Sequence, residues 1–574
     1  MQFAGNFAGS SPGKLTPVVL FASIWAHIQA SSLPMPSQTI GAVLRLYLGD
    51  PLDDAFLVWP PDVFAVAAIL LKLSGGYVHA VNKWPPGVPT HFKKIRQEGV
   101  HKWNAFLCQI GNDWKQAVEK NAPAPEQIRK WWSLLRKKEK KDIAKLFDDV
   151  ATCSILLQLL AAADEACRDI GIPDPKDWLK PVSKLEWFAK FLLQTQAAAG
   201  EPCTLCKRIP ASLLAVVPKL HTPKSGATLR SLTHNLALHE NVEISVHWSQ
   251  ITTALDHTIN VLCVPWPLDV NPVDFCKAEQ NEIELKNMRP SVRFFDYEPP
   301  KQAGFVKQFE ELLRHALEKV GTVDGVVFPE LAMDLKTFKQ IRAILNKHIP
   351  ASFLIAGVRS PRRNDSYCSI PAASDVRHKG LTEVREWQGK HHRWKLNRAQ
   401  IEQYGLGGRL DAECTWWEST LVERRKMNFF SLQPWLTMGV LICEDLARQD
   451  PVGDLIRAVG PNLVVALLMD GPQLASRWPA RYATVLADDP GSSVLTLSSL
   501  GMVLLSKPFD KPTSRVVGLW KDYTSRDAVE IELPPRKKGV VLSLTRQLRE
   551  EFSADGRSDE KSTAYLILTG MRPI

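Results

Sequence analysis

The chain has 574 residues, 45% hydrophobic and 23% charged, a balance that allows a large buried interior and excludes a disordered or fibrous protein. That length predicts about two to four domains. The net charge of +10 is uneven: residues 1–240 hold 28 Lys and Arg against 20 Asp and Glu, the remainder 43 against 41.

A basic half is compatible with an acidic partner such as nucleic acid, although a diffuse excess also serves solubility. The ten cysteines lack the dense spacing of a disulfide framework, so a reducing, cytoplasmic setting is expected. The apolar runs PVVLFASIWA from Pro17 and VFAVAAILL from Val63 fall short of the roughly 18 to 20 residues of a membrane span. No membrane partner is expected. Lys14 is the only positive charge before the first run and no small-residue cleavage site follows, which argues against a secretory leader.

From Ser37 to about Gly200, apolar residues recur at three and four spacings, punctuated by WPPD (59–62), KWPPGVP (83–89) and GIPDP (171–175). This predicts an all-α region. Its tryptophans, Trp59, Trp84, Trp103, Trp131, Trp132, Trp178 and Trp187, are expected to pack it. IRKWWSLLRKKEKKDIAKLFDD (128–149) reads as one amphipathic helix with Trp131, Leu134, Leu135, Ile143 and Leu146 as its stripe and the lysines in solvent. Pro202 to about Glu240 reads as a junction of weak helix signals. Cys203 and Cys206 form a lone CxxC there. Four-coordinate zinc would need two more ligands, for which only His221 and His234 offer themselves, so no metal or other cofactor is expected.

Beyond residue 240 short aliphatic runs alternate with helical ones. TINVLCVPW (258–266), DGVVFPE (324–330), ASFLIAGVR (351–359), LTMGVLICED, NLVVALLMD, SSVLTLSSLG and a final AVEIEL read as strands. Between them lie helices over 305–320, 335–348, DLIRAVG and RWPARYATVLAD. The reading is an N-terminal helical region over 1–240 and an α/β domain over 241–574. ADDPG (487–491) reads as a helix end.

Two of these strands finish on chemically useful residues. DGVVFPE delivers Glu330 and GVLICED (439–445) delivers Cys443, with Lys390 in QGKHHRWKL between them. Taken alone, a cysteine at a strand end is most simply packing. Glu, Lys and Cys in that order, on FPE (328–330), KHH (390–392) and GVLICED, resemble the nitrilase or carbon-nitrogen hydrolase superfamily over roughly residues 245–570. The resemblance implies a four-layer αββα sandwich that pairs into homodimers or higher oligomers. It also implies hydrolysis of a small amide or nitrile.

In that chemistry only the thiolate attacks well, so Cys443 needs Glu330 as base. Lys390 would face the oxygen of the tetrahedral intermediate, with the backbone N–H of Glu444 completing the oxyanion site. Lys395 is a second candidate for the lysine. An assisting glutamate is expected at Glu402, with Glu413 and Glu418 as rivals. An aromatic often follows the nucleophile in the family, whereas Glu444 stands here, as an acid does in glutaminase-type members. Arg477, Trp478 and Arg481 are expected near the site. WPPDVFAVAAILLKLSGGYVHAV (59–81) resembles the region attached to nitrilase-like domains of bacterial defence-associated reverse transcriptases, which implies an antiviral setting. No reverse-transcriptase acid motif accompanies it. The competing class is a silent nitrilase-like scaffold whose basic helical half binds nucleic acid or a protein. Loops 360–389 and 403–436 are expected to line the substrate pocket.

Overall fold

The computed structural model describes residues 38–50, 52–82, 93–168, 170, 183–224, 226–240, 243–250, 256–278, 292–299, 304–361, 363–372, 382–433, 435–506 and 514–574. The run from Pro17, the stretches 83–89 and 171–175, Trp84 and Trp178 lie outside these residues.

The N-terminal region is built on helices α1 (Ile40–Leu48), α2 (Pro60–Ser74), α3 (Lys93–Glu119), α4 (Glu126–Arg136), α5 (Val150–Ala166) and α6 (Lys184–Ala198). WPPD opens α2: Pro60 and Pro61 sit in the first turn, where their missing N–H groups cost nothing. At the far end Gly75 adopts φ +70°, a left-handed cap that favours glycine. Helix α5 starts on Asp149, whose side chain accepts the N–H of Thr152 at 3.1 Å. Both α2 and α5 are buried almost all round, so they form the packed centre of the region.

The basic stretch 128–149 is not one helix. Helix α4 stops at Arg136, and a separate 3-10 turn, Ile143–Lys145, follows with Asp142 as its cap. Between them the carbonyls of Glu139 and Lys141 accept the N–H groups of Gly41 and Ile40, tying the loop to the start of α1. Trp131, Leu135, Ile143 and Leu146 are buried as the stripe requires, Trp132 is buried with them, and Leu134 is exposed. The junction also differs from expectation. Ala215–Pro218 and Leu236–His239 pair as an antiparallel ladder, and Ile244–Gln250 joins a larger sheet.

Two large sheets follow. In the first the strand order is Thr382–Gly389, Arg363–Ala372, Phe353–Ser360, Gly325–Val327, Thr258–Cys263, Val540–Phe552, Ser558–Pro573. In the second it is Val529–Glu532, Val516–Lys521, Ser493–Ser498, Leu463–Leu468, Leu436–Ile442, Arg425–Gln433, Ile244–Gln250. Strand parity explains the layering. Val261, Val327 and Ile355 of the first sheet meet Met438, Val440 and Val465 of the second in one apolar layer. Their neighbours Leu262, Val326 and Leu354 point the other way, onto α7 (Phe305–Val320) and α8 (Leu335–His348). Leu441, Val464 and Ala466 likewise face α9 (Asp454–Val459) and α10 (Trp478–Asp488). The order is helix, sheet, sheet, helix, and the core of the N-terminal helices is continuous with this last layer. Helix α10 ends at Asp488, and Asp489 binds Arg230 and Arg457.

The final hairpin, beyond the last expected strand, carries a buried charge cluster at its tip. Arg557 is fully buried; its Nη1 lies 2.7 Å from Glu165 and 3.8 Å from Asp164, its Nε 3.0 Å from Asp555, and it donates to the carbonyl of Leu232. Asp164 in turn accepts the backbone N–H groups of His234, Asn235 and Leu236. One guanidinium thus joins hairpin, junction and α5. Among the described residues no helix is long and apolar enough to cross a membrane.

Removing one partner of such a cluster strands the others without compensation. Arg557→Ala is therefore expected to lower the unfolding free energy by about 3 to 5 kcal/mol, read from the urea midpoint. Glu318→Ala, at an exposed helical pair with Arg314, is expected to change it by less than about 0.5 kcal/mol. Equal effects would refute the latch.

Candidate active site

The strand Gly325–Val327 runs out through Phe328 and Pro329 to Glu330, and Leu331 turns the chain with φ +52°. Here the backbone lies against Gly357. A Cβ at 357 would come within 2.5 Å of the Glu330 Cα, the Leu331 nitrogen and the Pro329 oxygen, so only glycine fits. The Gly357 N–H donates to the Pro329 carbonyl at 3.0 Å and the Ala332 N–H to the Gly357 carbonyl at 2.9 Å. The glutamate is held by main chain on both sides.

Its carboxylate meets two partners. Lys390 Nζ donates to Glu330 Oε1 at 2.8 Å and to Glu418 Oε2 at 2.6 Å. Asn364 Nδ2 donates to Glu330 Oε1 and Glu418 Oε1, both at 2.7 Å. Lys390 follows the strand Thr382–Gly389, its N–H bonded to the Asn364 carbonyl at 3.0 Å, while Glu418 closes the strand Thr415–Glu418. Lys390 and Glu330 are each 2% exposed. Two carboxylates on one buried ammonium leave an excess negative charge. Burial pushes the Glu330 carboxyl above its ordinary value, the Lys390 ammonium opposes this, and Glu418 adds to it. For Lys390, burial alone would lower its pKa, but Glu330, Glu418 and Cys443 hold it well above the usual lysine range.

Cys443 ends the strand Leu436–Ile442 at φ +47°, a left-handed conformation that breaks the strand and starts the turn Cys443–Ala447. Such a φ costs on the order of 1 kcal/mol or more for a residue with a Cβ, so the surrounding structure must impose it. The thiol is buried. Burial and then Glu330 push it well above the ordinary thiol range, while Lys390 and the backbone N–H of Met469 pull it down. Asp445, two residues on, accepts the His391 N–H at 3.1 Å and His392 Nδ1 at 3.0 Å. It clamps the turn carrying Cys443 to the loop carrying Lys390.

Four buried polar atoms around a small cavity of about 20 Å³ have no hydrogen-bond partner among the described residues: Glu330 Oε2, Asn364 Oδ1, Tyr297 Oη and Arg359 Nε. Phe295, Trp394, Glu418 and Met469 complete much of the wall. A second polar centre lies beside the thiol. Asp470 accepts from Tyr404 Oη at 2.8 Å, Arg477 Nη2 at 3.0 Å and Trp478 Nε1 at 3.1 Å, and its charge opposes ionisation of Cys443.

The structure therefore brings Glu330, Lys390 and Cys443 into one electrostatic unit and puts Arg477 and Trp478 at its edge. It does not bring in Glu402 or Lys395. Glu402 pairs with Arg398 at 3.0 Å on an exposed helix, and Glu413 pairs with the same arginine. Lys395 is exposed, with its ammonium 5.5 Å from the Trp417 ring. Glu418 is the second glutamate at the site, because strand parity turns its side chain inward. The Glu444 carboxylate is taken by Arg448, and Arg481 is exposed. Cys203 and Cys206 are buried apart from this site, with their thiols near the carbonyls of Leu193 and Pro61. Asn364, Tyr404, Asp445 and Asp470 escaped the sequence reading. Only Asp445, inside the CED motif, carried a local signal.

No family model and no curated protein matches the chain. Among solved structures it is similar to Nit3 of Saccharomyces cerevisiae, a member of branch 10 of the nitrilase superfamily, at 12% identity and TM-score 0.30 over 51% of this chain and 92% of that one. It is similar to a carbon-nitrogen hydrolase from Helicobacter pylori G27 at 10% identity and TM-score 0.26, over 54% and 89%. A third is the C. elegans NitFhit protein, at 12% identity and TM-score 0.28, over 51% of this chain and 61% of that one, less than two thirds of its length.

The electrostatics give a signed expectation. Glu330→Gln removes a charge that raises the Cys443 pKa, so alkylation of Cys443 by iodoacetamide at pH 8 should accelerate about tenfold for each pKa unit recovered. Lys390→Gln should slow it. Peptide-resolved mass spectrometry separates Cys443 from the other cysteines, and the reverse order of the two variants would sink this account.

Proposed function

We propose that the protein is a cysteine hydrolase of a non-peptide carbon-nitrogen bond, an amide or a nitrile. The observation that carries this reading is the buried Glu330–Lys390–Glu418 cluster beside Cys443, with one Glu330 oxygen left unpaired. The motif order Glu, Lys, Cys supports the same assignment.

For an amide, Glu330 takes the Cys443 proton and the thiolate attacks the carbonyl carbon. The carbonyl oxygen becomes an oxyanion beside the Lys390 ammonium and the Glu444 N–H. Collapse breaks the C–N bond as Glu330 returns its proton to the leaving nitrogen, and a thioester remains. Water, losing a proton to Glu330, then attacks the thioester; the acid departs and Cys443 regains its proton. The raised Glu330 pKa suits this exchange, because it makes the carboxylate a stronger base toward the thiol. Glu418 and Asn364 act as positioning residues: they hold Lys390 and one Glu330 oxygen so that the other is free for the thiol.

Incubation with a panel of small amides and nitriles, followed by intact-mass spectrometry, tests the reading. An acyl adduct is expected on wild type and on no Cys443→Ala sample. Glu330→Gln should lower turnover by about 10² to 10⁴ while Glu402→Gln leaves it unchanged. An adduct that persists in Cys443→Ala assigns the wrong nucleophile. Absence of any adduct and any turnover across the panel favours the silent scaffold.

A further inference from the structure

The helical region holds a cleft that the chemistry above does not use. Its volume is about 820 Å³, within the range of small-molecule sites. The turn Ala55–Val58 and Trp59 form one wall, residues 121–124 and Arg129 a second, and Lys184, Trp187 and Phe188 of α6 a third, with Lys207 between.

Its charge is lopsided. Among the described residues Arg129, Lys184 and Lys207 line it against a single acid, Asp54, which already accepts the Trp132 Nε1 proton at 2.8 Å. The Lys207 ammonium lies 3.6 Å from the centre of the Trp59 ring and 3.9 Å from that of Phe188, and it forms no ion pair among the described residues. The nearby Asp62 carboxylate is engaged by the backbone N–H groups of Lys207 and Arg208 at 3.0 and 3.2 Å. Trp59 cannot turn away, because its Nε1 donates to the Leu205 carbonyl at 2.7 Å. Two ring faces thus hold a cation in the cleft; the charge of Asp62 acts on it, without an ion pair among the described residues. Arg129 is exposed, and its side chain donates to the Ala124 carbonyl at 3.1 Å. Lys184 donates to the carbonyl of Glu119.

The aromatic side is as unusual. Trp187 is 57% exposed and stacks parallel on Phe191, 5.4 Å between centroids at 7°. A large flat ring pair left in water beside three cations is a platform for another flat ring that carries negative charge. Three cations against one engaged acid favour several negative charges over a single carboxylate, and phosphates meet guanidinium and ammonium groups well.

We propose that this cleft binds a nucleoside di- or triphosphate, with the base against Trp187 and the phosphates at Lys207, Arg129 and Lys184. The site is independent of Cys443.

Calorimetric titration of the full chain with ATP, adenosine, tripolyphosphate and a dT oligonucleotide tests it. ATP should saturate one site, with adenosine and tripolyphosphate each weaker by about tenfold or more. Trp187→Ala and Lys207→Met should each weaken ATP about tenfold without changing the melting temperature or the alkylation of Cys443. Because Lys207 packs on two rings, Arg129→Gln, at an exposed residue that touches neither, provides the second cation variant and should act in the same direction. No saturable ATP binding, or ATP binding unmoved by Trp187→Ala and Arg129→Gln, overturns the proposal. Adenosine binding as tightly as ATP removes the phosphate half, and tripolyphosphate doing so removes the aromatic half. An oligonucleotide that binds more tightly than ATP and loses affinity in the same variants makes the cleft a single-strand site instead.

Discussion

The ammonium of Lys390 is buried between the carboxylates of Glu330 and Glu418, and the arrangement of the candidate site depends on that contact. A buried charge is tolerable only when it is paired and hydrogen-bonded, so three chain segments must arrive together. Glu330 comes from the end of a first-sheet strand, Lys390 from the end of a strand at that sheet's edge, and Glu418 from the small third sheet, whose strand order is Lys395–Leu396, Thr415–Glu418, Val292–Tyr297, Phe275–Lys277. Asn364 bridges both carboxylates from a fourth segment, and the Trp394 N–H adds a bond to Glu418 at 3.0 Å. Burial raises both the Glu330 carboxyl and the Cys443 thiol; the Lys390 ammonium opposes both shifts, while the Glu418 charge adds to the first and the Glu330 charge to the second.

Cys443 belongs to the other large sheet, so the thiol reaches the cluster only if the two sheets hold their spacing and register. The apolar layer between them fixes the spacing, and Asp445 supplies a polar tie across the same boundary through His391 and His392. The left-handed turn at Cys443 is thereby held from both ends: its strand is fixed by pairing with Leu463–Leu468, and its exit by Asp445. On the far side of the second sheet the helical region covers the outer face, and the Arg557 cluster fastens the last hairpin to it. The N-terminal helices share one apolar core with the outer face of the second sheet and its helices.

Much of this was legible in the sequence where a pattern is local. Fully buried strands such as NLVVALLMD and amphipathic helices such as 305–320 show their period within a dozen residues, and the structure places both where the period puts them. FPE and GVLICED were legible because strand ends carry their chemistry within a few residues. The hairpin Val540–Phe552 and Ser558–Pro573 was missed because its exposed half, TRQLREEF, mixes charges into the alternation and reads as helix or loop. The break after Arg136 was missed because its cause is a tertiary contact, the pinning of 139–141 to α1. Asn364 and Asp470 carried no local signal, since each is defined by partners 34 or more residues and seven to 66 residues away respectively.

The glutamate assignment shows how that limit operates at the candidate site. Glu402, Glu413 and Glu418 all lie between Lys390 and Cys443 in the chain, and nothing in their own neighbourhoods ranks them. The ranking comes from pairing: Thr415–Glu418 lies parallel to Val292–Tyr297, with Glu418 opposite Phe295, and that register puts the Glu418 side chain with Phe295 and Tyr297 on the wall of the cavity. Glu402 sits on a short helix outside that ladder and finds Arg398 instead. The same register bears on Glu444. Its carboxylate is spent on Arg448, so the residue beside the thiol does not form the cavity wall, and the wall is built by Phe295, Tyr297, Arg359 and Trp394. Three of those four side chains come from the third sheet or the loop entering it. The shape of this cavity therefore depends on how that small sheet pairs, whereas the residues proposed for the chemistry depend on where the strands of the two large sheets and the third sheet end.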